Sequence, residues 1–215
     1  MAAVLKMAPG EMVWICDGQG TSRLVELDDV GKSAVKGHVV KSVSMDGEPP
    51  VTVTLYLSLL KRDAFELACR MAAEAGVSEI VPLKTRRTVK LGVNESRLRT
   101  IIREAAELAG RSVLPELRPA TSLKAALKDS AGNDANWFFE PVFAVDAWHA
   151  PGAHTKSGRR KIGVFVGPEG GWDDAEIAEA RAVGKNLRLA TLGAPVARAE
   201  TAAVVAIFLA ANGKL

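Results

Sequence analysis

Past residue 50 the sequence alternates between two periodicities, and that alternation limits the fold more than any other feature. Residues 51–57 form a β-branched apolar run. Residues 62–75 then carry Ala64, Phe65, Leu67, Ala68, Met71, Ala72 and Ala75 at the spacing of one helix face, ended by Gly76. The cycle repeats with a strand over 77–83 and a helix over 95–109 ended by Gly110. Further strands are expected over 137–145, 162–166 and 186–192, and a final helix over 199–212. Repeated strand–helix units predict an α/β fold with a parallel sheet and helices on both faces.

The first 45 residues follow another pattern. A β-compatible run over 11–16 meets the turn signal Asp17-Gly18-Gln19-Gly20, and two more strand candidates follow at 23–28 and 36–44. The Gly/Pro-rich stretch around residues 44–50 marks a boundary, giving a small β domain over 1–46 and a larger domain over 51–215. Two cysteines, Cys16 and Cys69, give neither a disulfide framework nor a four-cysteine zinc site. The longest apolar run, residues 202–211, is far short of the roughly 20 a membrane span needs. No signal-peptide profile opens the chain, so a cytoplasmic protein without membrane attachment is expected. His149 and His154 lie in a turn-rich stretch over 146–161, read as a loop, with no carboxylate or cysteine cluster at metal-ligand spacing, so no metal is expected.

Two glycine-bearing loops carry the chemistry. Gly167-Pro168-Glu169-Gly170-Gly171 leaves the strand at 162–166, and at that edge of an open α/β sheet ligands sit. Asp173 as N-cap, Glu176 three residues on and Trp172 against Ile177 predict a capped, stapled helix next. The loop is neither Gly-x-Gly-x-x-Gly nor a P-loop, which argues against nucleoside triphosphates. The second loop, residues 192–202, brings Arg198 and Glu200 to the start of the last helix, where an acidic side chain also suits the macrodipole. Lys84, Arg86, Arg87, Lys90, Arg97, Arg99, Arg103 and Arg111 form a basic stretch. It reads either as a phosphate-binding patch or as a solvated helix face paired with Glu104 and Glu107.

These stretches together resemble the SPOUT-class methyltransferases, and within them the small-subunit ribosomal RNA methyltransferase E family. The resemblance is carried by residues 4–10 with Cys16-Asp17-Gly18, Ile80-Val81-Pro82 with Arg87-Thr88-Val89, residues 103–107 with Gly110-Arg111, the loop at 167–171 and the segment 192–202. It implies a trefoil-knotted parallel-sheet domain behind a short PUA-like β domain, a homodimer, S-adenosylmethionine as cofactor, and N3-methylation of uridine in 16S rRNA of the small ribosomal subunit. Gly167, Glu169, Gly170, Gly171, Leu192, Gly193, Val196 and Arg198 would bind the cofactor. Lys84, Arg86, Arg87 and Arg111 would bind RNA. Met71, Ala73, Leu108 and Ala109 depart from the family on the surface expected to meet RNA, and Ala197 departs beside the second loop.

A guanidinium is too basic to remove the N3 proton, so Arg198 is cast as an electrostatic clamp on developing negative charge. Glu200 would orient Arg198 or take a proton through water. The alternatives are methylation of another RNA position, or a non-catalytic RNA-binding or assembly protein that keeps the fold. The last helix is apolar nearly all round, which calls for a second cover and fits a two-fold partner.

Overall fold

The computed structural model describes residues 6–45, 47–88, 92, 94–140, 146–147, 154–155, 158–184 and 186–212. The chain forms two compact units, Met1–Glu48 with Ala109–Leu114, and Pro49–Leu108 with Pro115–Leu215. The short segment Ala109–Leu114, expected in the larger domain, thus belongs to the first unit.

The first unit is an antiparallel sheet of β1 (Met12–Cys16), β2 (Thr21–Val30) and β3 (Val35–Ser44), in that order. Central β2 buries Ser22, Val25 and Leu27, while β1 and β3 are largely exposed. The returning segment ties in through Gly20 N–H donating to Ser112 O (2.9 Å) and Leu114 N–H to Gly18 O (2.9 Å). The Glu48 carboxylate accepts from Arg111 Nη2 (2.8 Å) and from Val113 N–H (2.9 Å).

The second unit runs β4 (Thr52–Ser58), α1 (Arg62–Glu74), β5 (Glu79–Lys84), α2 (Glu95–Leu108), β6 (Glu116–Leu117), β7 (Thr121–Ser122), α3 (Leu123–Asp129) and β8 (Ala135–Phe139). It continues with β9 (Asp146–Ala147), β10 (His154–Thr155), β11 (Gly158–Arg159), β12 (Lys161–Val166), α4 (Asp174–Ala182), β13 (Leu187–Thr191) and α5 (Ala199–Asn212). Eight strands pair, all in parallel, in the order β6-β5-β4-β12-β8-β13-β9, with β7 also beside β5. β12 sits between β4 and β8, so the chain steps back into the middle of its own sheet.

Helix α1 buries Phe65, Ala68, Cys69, Ala72 and Ala73, a stripe at three- and four-residue spacing. That stripe joins α2, α5 and the faces of β4 and β12 in one core. Each large apolar side chain fully buried there contributes about 1.5–3 kcal/mol. On the other face Tyr56 stacks on Phe165, and Phe165, Phe138 and Trp172 follow as tilted pairs, with successive ring centroids 4.3, 5.8 and 4.2 Å apart, under α3 and α4.

The expected strand over 137–145 is β8, which ends at Phe139; residues 141–145 lie outside the described residues. The 146–161 stretch, read as a loop, contributes β9 to the sheet edge and the β10–β11 hairpin, and its His149 also lies outside the described residues. Helix α3 and the two short strands before it were not anticipated. Among the described residues no helix is long and apolar enough to cross a membrane, and no cluster of three metal-ligating side chains occurs.

Candidate functional site

A cleft of about 650 Å³ opens at the carboxyl ends of β8, β12 and β13. That is where an open parallel sheet changes strand order and where its ligands bind. Phe139, Val166, Leu192, Pro195 and Val196 supply apolar wall, while Glu140, Glu169, Glu200, Lys61 and Arg198 supply charge. Such a size and such a mixture suit an organic ligand with a few fixed polar groups.

The first glycine loop forms one wall, and its geometry comes from the helix behind it. The Asp173 side chain accepts from Ala175 N–H (3.1 Å), and Glu176 reaches back to accept from Asp173 N–H (2.9 Å), completing the capping box read from the sequence. Trp172 is buried with Ile177 in one cluster, and its Nε1–H donates to Phe139 O (2.9 Å), joining the loop to the end of β8. A Cβ on Gly167 would lie 3.0 Å from that indole, so Gly167 makes room for Trp172. Gly171 sits at φ +69°, a left-handed conformation that glycine adopts without strain. Glu169 accepts from Lys61 N–H (3.1 Å) at the start of α1. Gly170 stands apart: Gly167, Glu169 and Gly171 line the cleft, whereas Gly170 turns its carbonyl to Arg87 Nη1 (2.9 Å).

The second loop supplies the opposite wall. Leu192, Val196, Arg198 and Glu200 line the cleft; Gly193, at φ +134°, belongs to the same loop but not to the lining. Ala197 lines it too. The Arg198 carbonyl accepts the first bond of α5, from Ala202 N–H (2.8 Å), which sets this exposed residue at the helix start. Among the described residues neither Arg198 nor Glu200 makes a side-chain hydrogen bond or ion pair, so the expected Arg198–Glu200 contact is not formed.

The basic stretch divides. Lys84, Arg86 and Arg87 are exposed at the end of β5 and in the turn after it. Arg111 leaves the patch: its side chain is 3% exposed and is paired with Glu48, itself 4% exposed, inside the first unit. The α2 arginines hold local partners, Arg97 on Glu66 (2.7 Å), Arg103 near Glu107 (3.7 Å) and Arg99 on Leu117 O (2.9 Å). The Arg97 and Arg62 guanidiniums hold the Glu66 carboxyl below its usual range. For α2 the solvated-face reading therefore applies; Lys90 lies outside the described residues. Of the departures from the family, Ala73 is fully buried and cannot meet RNA, Met71 is half-buried, and Leu108 and Ala109 are exposed.

A profile of the RNA methyltransferase domain matches residues 47–211. The ribosomal RNA small subunit methyltransferase E of Synechocystis is 31% identical over 210 residues, covering 95% of this chain and 67% of that protein. The chain belongs to the RNA methyltransferase family. The crystal structure of a ribosomal RNA small subunit methyltransferase E from Neisseria gonorrhoeae, bound to S-adenosyl methionine, superposes with a TM-score of 0.82 at 26% identity, over 96% of this chain and 84% of that one. A Legionella pneumophila methyltransferase in complex with the same cofactor gives 0.81 at 27% identity, covering 100% and 88%.

In this RNA methyltransferase the sequence reading missed two charged groups in the cleft, the exposed Lys61 and the buried Glu140. Glu140 is 5% exposed at the end of β8, with its N–H donating to Ala190 O (3.0 Å). The available signal was a carboxylate directly after the apolar run at 137–139, at a strand end, where α/β sheets put their ligand-facing residues.

Proposed function

We propose that this chain is an S-adenosylmethionine-dependent methyltransferase that forms N3-methyluridine in 16S rRNA. The cleft at the carboxyl ends of β8, β12 and β13 carries the reading, because its residues fit that cofactor. The cofactor is an organic cation with an apolar adenine face, and three carboxylates against two cations line a largely apolar wall. Gly167, Glu169, Gly171, Leu192 and Val196 would hold it, with Gly170 and Gly193 shaping the loops. When bound, it supplies an electrophilic methyl group on a sulfonium.

The chain's own residues do the rest. Uridine N3 is protonated near neutral pH, and losing that proton puts charge on the neighbouring carbonyl oxygens. The Arg198 guanidinium, exposed and unengaged among the described residues, stabilises that charge. Glu200, two residues on at the same helix start, takes the proton through water. Lys84, Arg86 and Arg87 meet phosphates.

The family resemblance extends the reading to a knotted crossing of the cleft loops, a PUA-like role in RNA holding for the first unit, and a cytoplasmic homodimer. Support for the dimer comes from α5, which leaves Val205 and Phe208 exposed on one stripe, Phe208 by 52%. Light scattering is expected to give twice 22.8 kDa, and the monomer mass refutes the dimer.

Nucleoside mapping of 16S rRNA from a strain lacking the gene tests the reaction. Loss of an N3-methyluridine is expected. Loss of a different methyl mark would move the target. Full methylation, with calorimetric cofactor binding intact, would leave a non-catalytic RNA-binding protein.

A further inference from the structure

The turn after β5 grips the glycine loop from outside the cleft. It is braced by itself: Thr88 N–H donates to Thr85 O (3.2 Å), Thr85 N–H to Thr88 Oγ1 (3.1 Å), and the two hydroxyls share a bond of 2.6 Å. Arg86 and Arg87 sit at its tip. Arg86 N–H donates to Glu176 Oε1 (2.9 Å), while the other oxygen of that buried carboxylate closes the capping box. Arg86 Nη1 donates to Asp173 Oδ1 (3.1 Å), the oxygen that also accepts from Ala175 N–H. Arg87 Nη1 donates to Gly170 O, and its stem lies over Gly170, with Cβ and Cδ 3.6 and 3.7 Å from where a glycine Cβ would stand.

Three contacts from two consecutive residues thus land on the loop and on the cap of α4. All three are charge-assisted, and none of the residues they reach lines the cleft. A residue serving only RNA phosphates would need none of them. We infer that Arg86 and Arg87 are positioning residues for the glycine loop, setting cofactor affinity before any RNA arrives. The inference rests on reading the cleft as the cofactor site. The Gly170 carbonyl is taken by Arg87, and the Arg87 stem rests against Gly170 at ordinary contact distance.

The test uses the full chain without RNA. Calorimetric titration with S-adenosylmethionine compares the parent with Arg87→Met, Arg86→Met and Arg87→Lys. Methionine keeps much of the stem and loses the donor; lysine restores a charged donor. Arg87→Met is expected to weaken binding about tenfold, with Arg87→Lys recovering most of it. In parallel, hydrogen exchange in the cofactor-free protein follows the amides of Gly171 and Asp173, which are bonded to Pro168 O and Glu176. Both are expected to exchange about tenfold faster in Arg87→Met. Parent-like affinity together with parent-like exchange in both methionine variants overturns the inference. A parent that fails to bind the cofactor would refute the proposed function instead, and the exchange rates would still decide the role of the two arginines.

Discussion

Substituting Gly167 with alanine adds one methyl where the loop is least able to receive it. The new Cβ would stand 3.0 Å from Cε2 and Nε1 of Trp172 and 3.3 Å from Cδ1. A flexible side chain could yield a few tenths of an ångström, but this ring is held three ways. Its Nε1–H is bonded to Phe139 O (2.9 Å), its face meets Phe138 at 4.2 Å, and it is 3% exposed. Moving it breaks a buried hydrogen bond or compresses the packing, each costing about 1–3 kcal/mol. For a chain of this size, 2 kcal/mol lowers the thermal midpoint by about 4–8 °C. Near-ultraviolet circular dichroism, which reports packed aromatic rings, follows the loss as Gly167→Ala is heated. Gly170→Ala is the control, since its Cβ would meet Arg87 only at ordinary contact distance; its midpoint is expected within about 0.5 kcal/mol of the parent. Equal midpoints for Gly167→Ala and the parent would refute the idea that this glycine exists to seat Trp172.

Two other perturbations have worked-out signs. Arg111→Met strands the buried Glu48 carboxylate and is expected to cost about 3–5 kcal/mol in urea unfolding, with Glu48→Gln on the same chain recovering part of it; a loss below about 1 kcal/mol would contradict the pairing. Asp129 accepts two bonds from Arg118 (2.9 and 3.0 Å) and one from Tyr56 (2.7 Å), and the guanidinium holds its carboxyl below the usual range. A depressed pKa adds stability above the unfolded value near 4 and loses it as pH falls through the folded one, so the parent's advantage over Asp129→Asn should be full at pH 7 and shrink in acid. A gap independent of pH would show that the carboxylate charge is not what Arg118 and Tyr56 hold.

Local patterns carried the parts of the structure that local physics decides. The capping box of α4 needs only Asp173 and Glu176, and the buried stripe of α1 only its own spacing. Helix α3 had signals of the same kind, an N-cap at Ser122 and Leu123, Ala126 and Leu127 at helical spacing, but seven residues are too few for periodicity to stand out. Charge counting failed for a different reason. It pooled Arg111 with Lys84, Arg86 and Arg87, although Arg111 is buried by a partner 63 positions earlier. The glycines show the same limit. Three in five residues pointed correctly to a strand-end loop, yet what they accommodate, the Trp172 ring at Gly167 or a left-handed backbone at Gly171, depends on the final geometry.

The return of Ala109–Leu114 to the first unit has a consequence for synthesis. A ribosome delivers residue 48 long before residue 111, with α1, β5 and α2 emerging between them. Until then Glu48 lacks Arg111 and Val113, and Gly20 N–H lacks Ser112 O. The β1–β2–β3 meander can pair as it leaves the tunnel, because its contacts are near in sequence. It cannot close. The β1–β2–β3 unit is therefore completed only after α1, β5 and α2 have been made, and a nascent chain stalled before residue 111 would expose a carboxylate built to be buried.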